Sequence, residues 1–185
     1  MEPFLSHGLC LRPLEDSDAE ALVVAARESV ATVGRWSPWC HSEYTAEEAR
    51  QWIAVCKQAL AEKSAFNFGV FSADGTELLG GGGLNQFNTL HNFCNLGYWV
   101  RESKQRQGIA TRVVHALANF GFSVLGLTRI EIVEAEGNEP SNVVARKVGA
   151  QFECLARNRL VGRDGPVAAS VYSLVPQSVC ECRET

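Results

Sequence analysis

The chain has 185 residues, of which 46% are hydrophobic and 21% are charged, and 17 basic against 21 acidic side chains give a formal net charge of −4. These values fit one globular domain that buries a full core without a metal or disulfide staple. The acidic balance argues against a dedicated nucleic-acid-binding protein, and no stretch approaches the roughly 20 apolar residues of a membrane span. The N-terminal sequence lacks the basic and apolar regions of a signal peptide, so we expect a cytoplasmic protein without nucleic-acid or membrane partners.

Seven cysteines are spread thinly along the chain, and only Cys180 and Cys182 lie close together. An odd number in a chain of this length does not fit a secreted disulfide framework, and no second pair stands at zinc-site spacing. We therefore expect reduced thiols that pack as small apolar side chains, and neither a bound metal nor a cysteine nucleophile.

The first half of the chain predicts a strand, two helices and a hairpin. Two capping boxes, each a hydroxyl residue followed by a glutamate three positions later, mark the starts of the helices. Apolar residues at helical spacing follow both boxes, and an Asp-Gly pair between two apolar runs indicates the hairpin. The predicted elements are a strand over 7–14, a helix from the Ser17–Glu20 box to about Val33, a helix from the Thr45–Glu48 box, and hairpin strands over 66–72 and 77–84.

The second half predicts alternating strands and helices, closed by a hairpin that turns at Gly162–Gly165. The whole order predicts an α/β fold in a single domain over 1–185, with its core over about 7–175 and a mixed, mostly antiparallel sheet flanked by helices. The predicted elements of this half are a strand over 92–100, a helix over 108–125, a strand over 130–135, a helix over 140–148 and the hairpin over 151–175.

The stretch from Tyr98 to Thr111 carries the strongest chemical signal. A strand ends at Val100, a polar loop follows, and a helix opens at Gly108. The free backbone N–H groups and the positive end of the helix dipole make such a helix start an anion site, most often for phosphate. Residues 101–112 contain four basic side chains and one acidic side chain, a local charge of +3. We expect a pyrophosphate site there.

A run of four glycines, Gly80–Gly83, lies within a strand pattern. Neither this run nor the loop before Gly108 has the Gly-Lys-Ser/Thr of a Walker loop or the Gly-x-Gly-x-x-Gly of a dinucleotide fold. We expect the glycine run to form a bulge or a bare surface that faces a ligand.

Several segments resemble a known family. Gln105–Ala110, Gln-Arg-Gln-Gly-Ile-Ala, resembles the Gln/Arg-x-x-Gly-x-Gly/Ala signature of the GNAT superfamily of acyl-CoA-dependent N-acetyltransferases, and the predicted strand order fits that fold over about 7–175. Trp36–Trp39, Asn95–Val100 and Asn138–Asn142 are similar to the branch that acetylates ribosomal-protein N-termini, the RimJ/RimL-like enzymes. The resemblance implies acetyl transfer from acetyl-CoA to a primary amine, and a sheet whose fourth and fifth strands splay apart around the co-substrate.

The resemblance also implies which residues hold acetyl-CoA. Backbone amides of the loop and helix start hold the pyrophosphate, and the end of the fourth strand pairs with the pantetheine arm. Asn142 would reach the amide or phosphate region, and Asn138 would lie at the mouth of the site, unless it only caps its helix. The residues implied are Trp99, Val100, Gln105, Arg106, Gln107, Gly108, Ile109, Ala110, Thr111, Asn138 and Asn142.

Ser141 is the candidate catalytic side chain that the resemblance implies, because its hydroxyl can stabilise the leaving thiolate. Capping of the helix is its alternative role. The family often places a glutamate on the fourth strand as general base, but this chain has Asn95 there. The base stays open among His91, Glu134 and Glu136, with the histidine expected in an exposed loop and the glutamates at the surface. Direct attack of the amine on the thioester needs no covalent intermediate on the enzyme.

The acceptor site is less defined. Trp36 and Trp39 either line its walls or cover the core, and Asn85, Gln86 and Asn95 offer amides to an acceptor. The acceptor is either a protein N-terminus, as in the similar branch, or a small amine such as an amino acid, a polyamine, an antibiotic or an aminoacyl nucleotide. A module that binds acyl-CoA without turnover is a further alternative, motivated by the missing strand glutamate. A homodimer is a common arrangement for such a chain.

Overall fold

The computed structural model describes residues 1–176, so Cys180 and Cys182 lie outside the described residues. Eight strands form one sheet in the order β1-β2-β3-β4-β5-β6-β8-β7. In chain order the elements are β1 (Phe4–Ser6), β2 (Leu9–Arg12), α1 (Ala19–Glu28), α2 (Ala46–Ala61), β3 (Phe66–Ser72), β4 (Leu78–Asn88), β5 (Phe93–Val100), α3 (Ile109–Ser123), β6 (Arg129–Ala135), α4 (Glu139–Lys147), β7 (Gln151–Gly162) and β8 (Gly165–Leu174).

The sheet is antiparallel except where β5 and β6 meet. These two strands pair in parallel from Phe93 opposite Arg129 to Asn95 opposite Glu131, and both then continue without pairing to each other. The mixed, mostly antiparallel sheet with a splay between the predicted fourth and fifth strands is therefore confirmed, with β5 and β6 in those positions. The gap leaves backbone groups of β5 available on the side that faces β6.

Helices cover both faces of the sheet. Apolar residues of α3 and of the central strands form the larger buried cluster, and residues of α1 and α2 form a second one. Because successive side chains of a strand point to opposite faces, Leu96 and Val100 of β5 pack with α3, whereas Trp99 packs with the α1–α2 side. We call these the α3 face and the α1–α2 face.

The N-terminal strand prediction is wrong in detail. Instead of one strand over 7–14, a hairpin of β1 and β2 turns at His7 and Gly8, whose φ angles are 52° and 71°. Two consecutive residues in the left-handed region produce the tight turn that matches the twist of paired strands. Hydrophobic alternation alone did not reveal that the chain reverses there.

The two predicted capping boxes have different outcomes. At α2 the Glu48 N–H donates to Thr45 Oγ1 at 3.2 Å and the Thr45 N–H donates to Glu48 Oε2 at 2.8 Å, so this box is confirmed. The Ser17–Glu20 box does not form, because Asp18 instead accepts the N–H of Glu15 at 2.7 Å and precedes α1 in a short 3₁₀ turn. Helix α1 also ends at Glu28, before the predicted end near Val33.

The other predicted elements are confirmed with shifted ends, and β4 extends furthest beyond its prediction, to Asn88. Within residues 1–176, no helix is long and apolar enough to cross a membrane. The described cysteines are all free thiols, four of them buried, and the same residues contain no cluster of three or more side chains able to hold a metal ion.

Candidate active site

A cavity of about 670 Å³ lies where β5 and β6 separate. The connection between α1 and α2 and the turn between β7 and β8 form its sides, and the glycine run of β4 contributes to its floor. We call it the splay cavity. Its principal polar and aromatic lining residues are Trp36, Trp39, Tyr98, Trp99, Glu134 and Ser141.

The loop before α3 offers unpaired backbone donors. Within the described residues, no N–H from Arg106 to Thr111 donates to a backbone or side-chain acceptor. Arg106 and Gly108 have φ angles of 62° and 72°, and a Cβ at Gly108 would meet nothing within 4 Å. A concave set of N–H groups at the helix dipole, open to approach, fits a pyrophosphate.

The basic side chains of this loop are less available than its charge of +3 implied. Arg101 donates to both oxygens of Glu28, at 2.8 and 2.6 Å, and Lys104 donates to Glu77 at 2.8 Å. The Arg101 guanidinium holds the pKa of Glu28 at about 2. Arg106 has no side-chain partner among the described residues. The anion site therefore depends on backbone N–H groups and on Arg106, while Arg112 donates to the His7 carbonyl at 3.1 Å.

The Gln105 side chain has a structural role. Its amide nitrogen donates to the backbone oxygen of Val100 at 2.9 Å and to Thr32 Oγ1 at 3.0 Å. It thereby ties the loop to the end of β5 and to the segment after α1. Gln107, Ile109 and Ala110 lie with Gly108 at the helix start, so the residues implied for the pyrophosphate lie together. The Gln105 side chain instead points toward the end of β5.

Ser141 lies in the first turn of α4, on the wall of the splay cavity. Its Oγ is 2.7 Å from Tyr98 Oη, and its N–H lies 3.4 Å from Asn138 Oδ1, which caps the helix. Asn138 also lines the cavity, so both of its alternative roles fit the structure. Asn142 is buried, and its amide is engaged with the Asn138 carbonyl at 3.1 Å and the Tyr172 hydroxyl at 2.9 Å. Asn142 therefore supports α4 rather than lining the cavity.

The three candidates for the base occupy different environments. His91 lies exposed in the β4–β5 turn, outside the splay cavity, whereas Glu136 lines that cavity but is exposed beyond the end of β6. Glu134 is only 4% exposed, and neither of its carboxylate oxygens has a hydrogen-bond partner in the described structure. Burial raises its pKa to about 7, against the opposing effects of the Ser141 hydroxyl and Arg146. The expectation of a surface role for Glu134 is therefore wrong.

The two asparagines predicted for the acceptor interact with each other. Asn95 Nδ2 donates to Asn85 Oδ1 at 3.0 Å, and Asn95 Oδ1 is buried without a partner. Asn85 lines the splay cavity, whereas Asn95 and Gln86 line a neighbouring cavity of about 550 Å³ at the β4–β5 turn. Asn95 therefore reaches the splay cavity through Asn85, and it cannot serve as a base because an amide does not accept a proton at neutral pH.

Tryptophans form one wall of the splay cavity. Trp39 packs edge-on against Trp99, with ring centroids 5.3 Å apart, and Trp36 lies nearby on the same loop beneath the Arg35 guanidinium. Both predicted tryptophans thus line the cavity. Sequence reasoning missed Trp52, which is exposed on α2 and lines the same cavity, because its spacing there is that of any helical apolar residue.

The β7–β8 turn also escaped prediction as part of the site. Arg163 in this turn reaches the Cys40 carbonyl at 3.4 Å, across 123 positions of sequence. No local pattern indicates such a long-range approach. The contact brings the turn against the α1–α2 connection and helps to enclose the cavity.

The glycine run lies beside a bulge and lines the cavity, but neighbouring groups fill the space next to each of its glycines, so it is not a bare surface. The pairing of β3 and β4 shifts register at Val70 and Phe71, which is a bulge, and all four glycines line the splay cavity. A Cβ at Gly82 would lie 2.9 Å from Leu117 and Val113 on the α3 face. On β5, Gly97 lies opposite Gly83, and a Cβ there would meet nothing within 4 Å.

None of the five cysteines within residues 1–176 lines the splay cavity. Burial raises the pKa of Cys56 and of Cys94 to about 12, so both thiols stay protonated at neutral pH. Cys154 is exposed, but it lies on β7 and does not line the splay cavity.

The known proteins that this chain resembles are acetyltransferases. The family model of an acetyltransferase (GNAT) domain matches residues 8–151. YoaA of Bacillus subtilis (strain 168), an uncharacterised N-acetyltransferase, is 31% identical over 167 residues, which cover 90% of this chain and 93% of YoaA. A proposed ribosomal-protein-serine acetyltransferase from Vibrio cholerae has a TM-score of 0.85 at 35% identity, with 95% of this chain and 98% of that chain covered. RimL, a ribosomal alpha-N-protein acetyltransferase solved with coenzyme A, shares the fold at a TM-score of 0.85 and 22% identity, over 96% and 99% of the two chains.

A sheet that splays beside a helix start with free amides is the arrangement that the resemblance implied for an enzyme that uses an acyl-CoA. The match over residues 8–151 shows that the chain belongs to the GNAT acetyltransferase family, and it is an acetyl-CoA-dependent N-acetyltransferase. The resemblance seen in the sequence is thereby confirmed.

Proposed function

We propose that this enzyme transfers the acetyl group of acetyl-CoA to the α-amino group of a protein N-terminus. The observation that carries the proposal is the splay cavity itself, in which the Tyr98–Ser141 hydroxyl pair lies beside Gly97, where a Cβ would meet nothing within 4 Å. Two structural neighbours agree with this acceptor class: the Vibrio cholerae protein, a proposed ribosomal-protein-serine acetyltransferase, and RimL, an alpha-N-protein acetyltransferase of ribosomal L7/L12.

The co-substrate would be held mainly by backbone groups. The N–H groups from Arg106 to Thr111 fit its pyrophosphate, and Arg106 adds a positive charge. The edge of β5 that no longer pairs with β6, up to Val100, offers N–H and C=O groups to the pantetheine arm. Bound in this way, acetyl-CoA supplies an activated acyl group to the cavity.

The acceptor would enter from the α1–α2 face. Gly97 of β5 has open space where a Cβ would project, so a polypeptide main chain can approach the sheet closely there, whereas Asn67 fills the space beside the facing Gly83. Asn85 lies one step further along that face and offers an amide to the acceptor backbone. An extended N-terminal segment fits such a strip because its own backbone groups need partners.

Ser141 is placed to assist the leaving group. Tyr98, whose pKa is raised far above its usual range by burial, keeps its proton, and its hydroxyl lies 2.7 Å from Ser141 Oγ, where either oxygen can donate. When Tyr98 donates, the Ser141 hydroxyl proton is free to stabilise charge that develops on the leaving sulfur.

A small apolar amine is the second candidate acceptor. Trp36, Trp39, Trp52 and Trp99 all line the splay cavity, and flat aromatic walls suit a compact apolar molecule as well as a peptide side chain. The open space at Gly97 favours the protein N-terminus, because a compact amine enclosed by tryptophans does not need a site where a main chain can approach the sheet.

The test is a mass-spectrometric screen with acetyl-CoA. Peptides with free N-termini, the same peptides with blocked N-termini, and a panel of small amines would be compared. We expect acetylation at the α-amino group of the free peptides only. Ser141→Ala should lower kcat by about 10- to 100-fold and leave acetyl-CoA affinity unchanged, because one hydrogen bond to developing charge is lost. Acetylation of small amines with no peptide product would refute the proposed acceptor.

A further inference from the structure

Two carboxyl groups are buried within residues 1–176, and they differ in their hydrogen-bond partners. Asp18 accepts two hydrogen bonds of 2.7 Å from Arg12 and one from the Glu15 N–H. Glu134 is more deeply buried, at 4% exposure, and neither of its oxygens has a partner within residues 1–176. A buried carboxyl without partners destabilises a fold, so packing does not account for Glu134.

The surroundings of Glu134 point to proton transfer. It lines the splay cavity together with Ser141 and Tyr98, whose hydroxyl oxygens are 2.7 Å apart. The Ser141 hydroxyl also lowers the pKa of Glu134 against the effect of burial, although no hydrogen bond joins the two side chains in the described structure. In the Tyr98–Ser141 pair either hydroxyl can donate, and when Tyr98 donates, the Ser141 proton is available to a second acceptor. The three side chains therefore share the splay cavity, with Glu134 as a buried carboxyl that lacks a partner there.

We propose that Glu134, Ser141 and Tyr98 form a proton relay, in which Glu134 takes the proton that the acceptor amine loses and returns it through Ser141 to the leaving sulfur. The relay rests on the proposed acetyl transfer, but it does not depend on which amine is the acceptor. Glu134 and Ser141 exchange protons with the reacting groups, whereas Tyr98 is a positioning residue that holds Ser141.

The relay balances over one turnover. The amine nitrogen bonds to the thioester carbonyl carbon, and the carbon–sulfur bond breaks with its electron pair on sulfur. The nitrogen gives up one proton to the Glu134 carboxylate. Ser141 gives its hydroxyl proton to sulfur and regains one from Glu134, so the protein ends in its starting protonation state.

The protonation behaviour of Glu134 suits this role. Burial raises its pKa to about 7, so the carboxyl accepts and releases a proton with little cost near neutral pH. The exposed Glu136, two positions later, has no comparable environment. The relay also accounts for the absence of a carboxylate at Asn95, because the base lies on the neighbouring strand β6 instead.

The first test compares Glu134→Gln with Glu136→Gln, on an acceptor that the wild type uses. For Glu134→Gln we expect kcat to fall by about 10²- to 10⁴-fold, with acetyl-CoA affinity unchanged by calorimetry. The melting temperature should stay equal or rise, because the variant removes an unpartnered carboxyl. The wild-type kcat should decline as the pH falls below about 7, and Glu136→Gln should keep that midpoint. A kcat of Glu134→Gln within about threefold of wild type would overturn the relay.

Tyr98→Phe tests the positioning role. It should lower kcat by roughly tenfold while the KM for acetyl-CoA stays constant, because one hydrogen bond to Ser141 is lost. If kcat falls equally in Ser141→Ala and in the double variant Tyr98→Phe, Ser141→Ala, then Tyr98 acts through Ser141. Fully additive losses would contradict that link.

A second test needs no acceptor. In protein with ¹³C-labelled glutamate carboxyls, the resonance missing from Glu134→Gln should titrate near pH 7, and its midpoint should rise in Ser141→Ala because Ser141 favours the ionised form. An unchanged midpoint would overturn the relay even if peptides are acetylated. Conversely, a shifted midpoint with acetylation of small amines alone would keep the relay and refute the protein acceptor.

Discussion

Gly97 offers a way to obstruct the acceptor side of the cavity without disturbing the fold. It lies in the middle of β5, lines the splay cavity, and has open space where a Cβ would project. Alanine should therefore enter without a clash and stabilise the strand by about 0.5 to 1 kcal/mol, because glycine loses more conformational freedom on folding. The added methyl group would occupy space that the acceptor main chain uses.

We expect Gly97→Ala to weaken acceptor use by about 10- to 200-fold in kcat/KM, the range for one methyl group in a tight contact. Gly82→Ala is the matched control, since its Cβ would lie 2.9 Å from Leu117 and Val113, both fully buried. That variant should lose about 1 to 3 kcal/mol of stability, or roughly 2 to 12 °C in Tm.

Steady-state kinetics with a series of peptides that have free N-termini, together with thermal unfolding, would measure both effects. Affinity for acetyl-CoA, followed by calorimetry, should change little in Gly97→Ala because the methyl group projects from the α1–α2 face. The reasoning would be refuted by a folded Gly97→Ala enzyme whose acceptor kcat/KM equals that of wild type. It would also fail if Gly82→Ala proved as stable as Gly97→Ala.

Two further predictions concern the loop before α3 and its support. Gly108→Glu places a bulky, negatively charged side chain in the proposed pyrophosphate site, at a φ of 72°. The variant should show no measurable binding of acetyl-CoA by calorimetry. Retained affinity for acetyl-CoA would disprove the site. Glu28→Gln removes the partner of Arg101 and should cost about 1 to 3 kcal/mol in urea unfolding at neutral pH. Because the pKa of Glu28 is lowered to about 2, its stabilisation is complete above the ordinary value of 4.5 and is lost as the pH falls through about 2. The two proteins should therefore converge at low pH, and a difference that persists there would contradict the ion-pair explanation.

The helix start at Gly108 shows which part of the site depends only on residues that are close together in the sequence. The end of β5, the polar loop and the apolar period of α3 are all short-range patterns, so the free N–H groups could be predicted from the sequence. The charge of this loop could not, because Arg101 and Lys104 are paired with Glu28 and Glu77, which are distant in sequence. Counting charges along the chain takes no account of such pairings.

Glu134 shows the opposite case. In the sequence it is one of two glutamates at the end of a strand, and alternation alone does not say which of them is buried. Its environment depends on the packing of α4 beside β6 and on the parallel pairing of β5 with β6, both of which are tertiary.

The sequence by itself determined the family, the order of the elements and the position of the anion-binding helix start, because these depend on periodicity and on a contiguous motif. The tertiary structure alone decided which carboxyl is buried, which hydroxyl holds Ser141, and how the tryptophan wall and the β7–β8 turn enclose the cavity. The physical reason is that burial and hydrogen bonding are properties of neighbours in space, and here those neighbours come from β5, β6, α4 and a turn far along the chain.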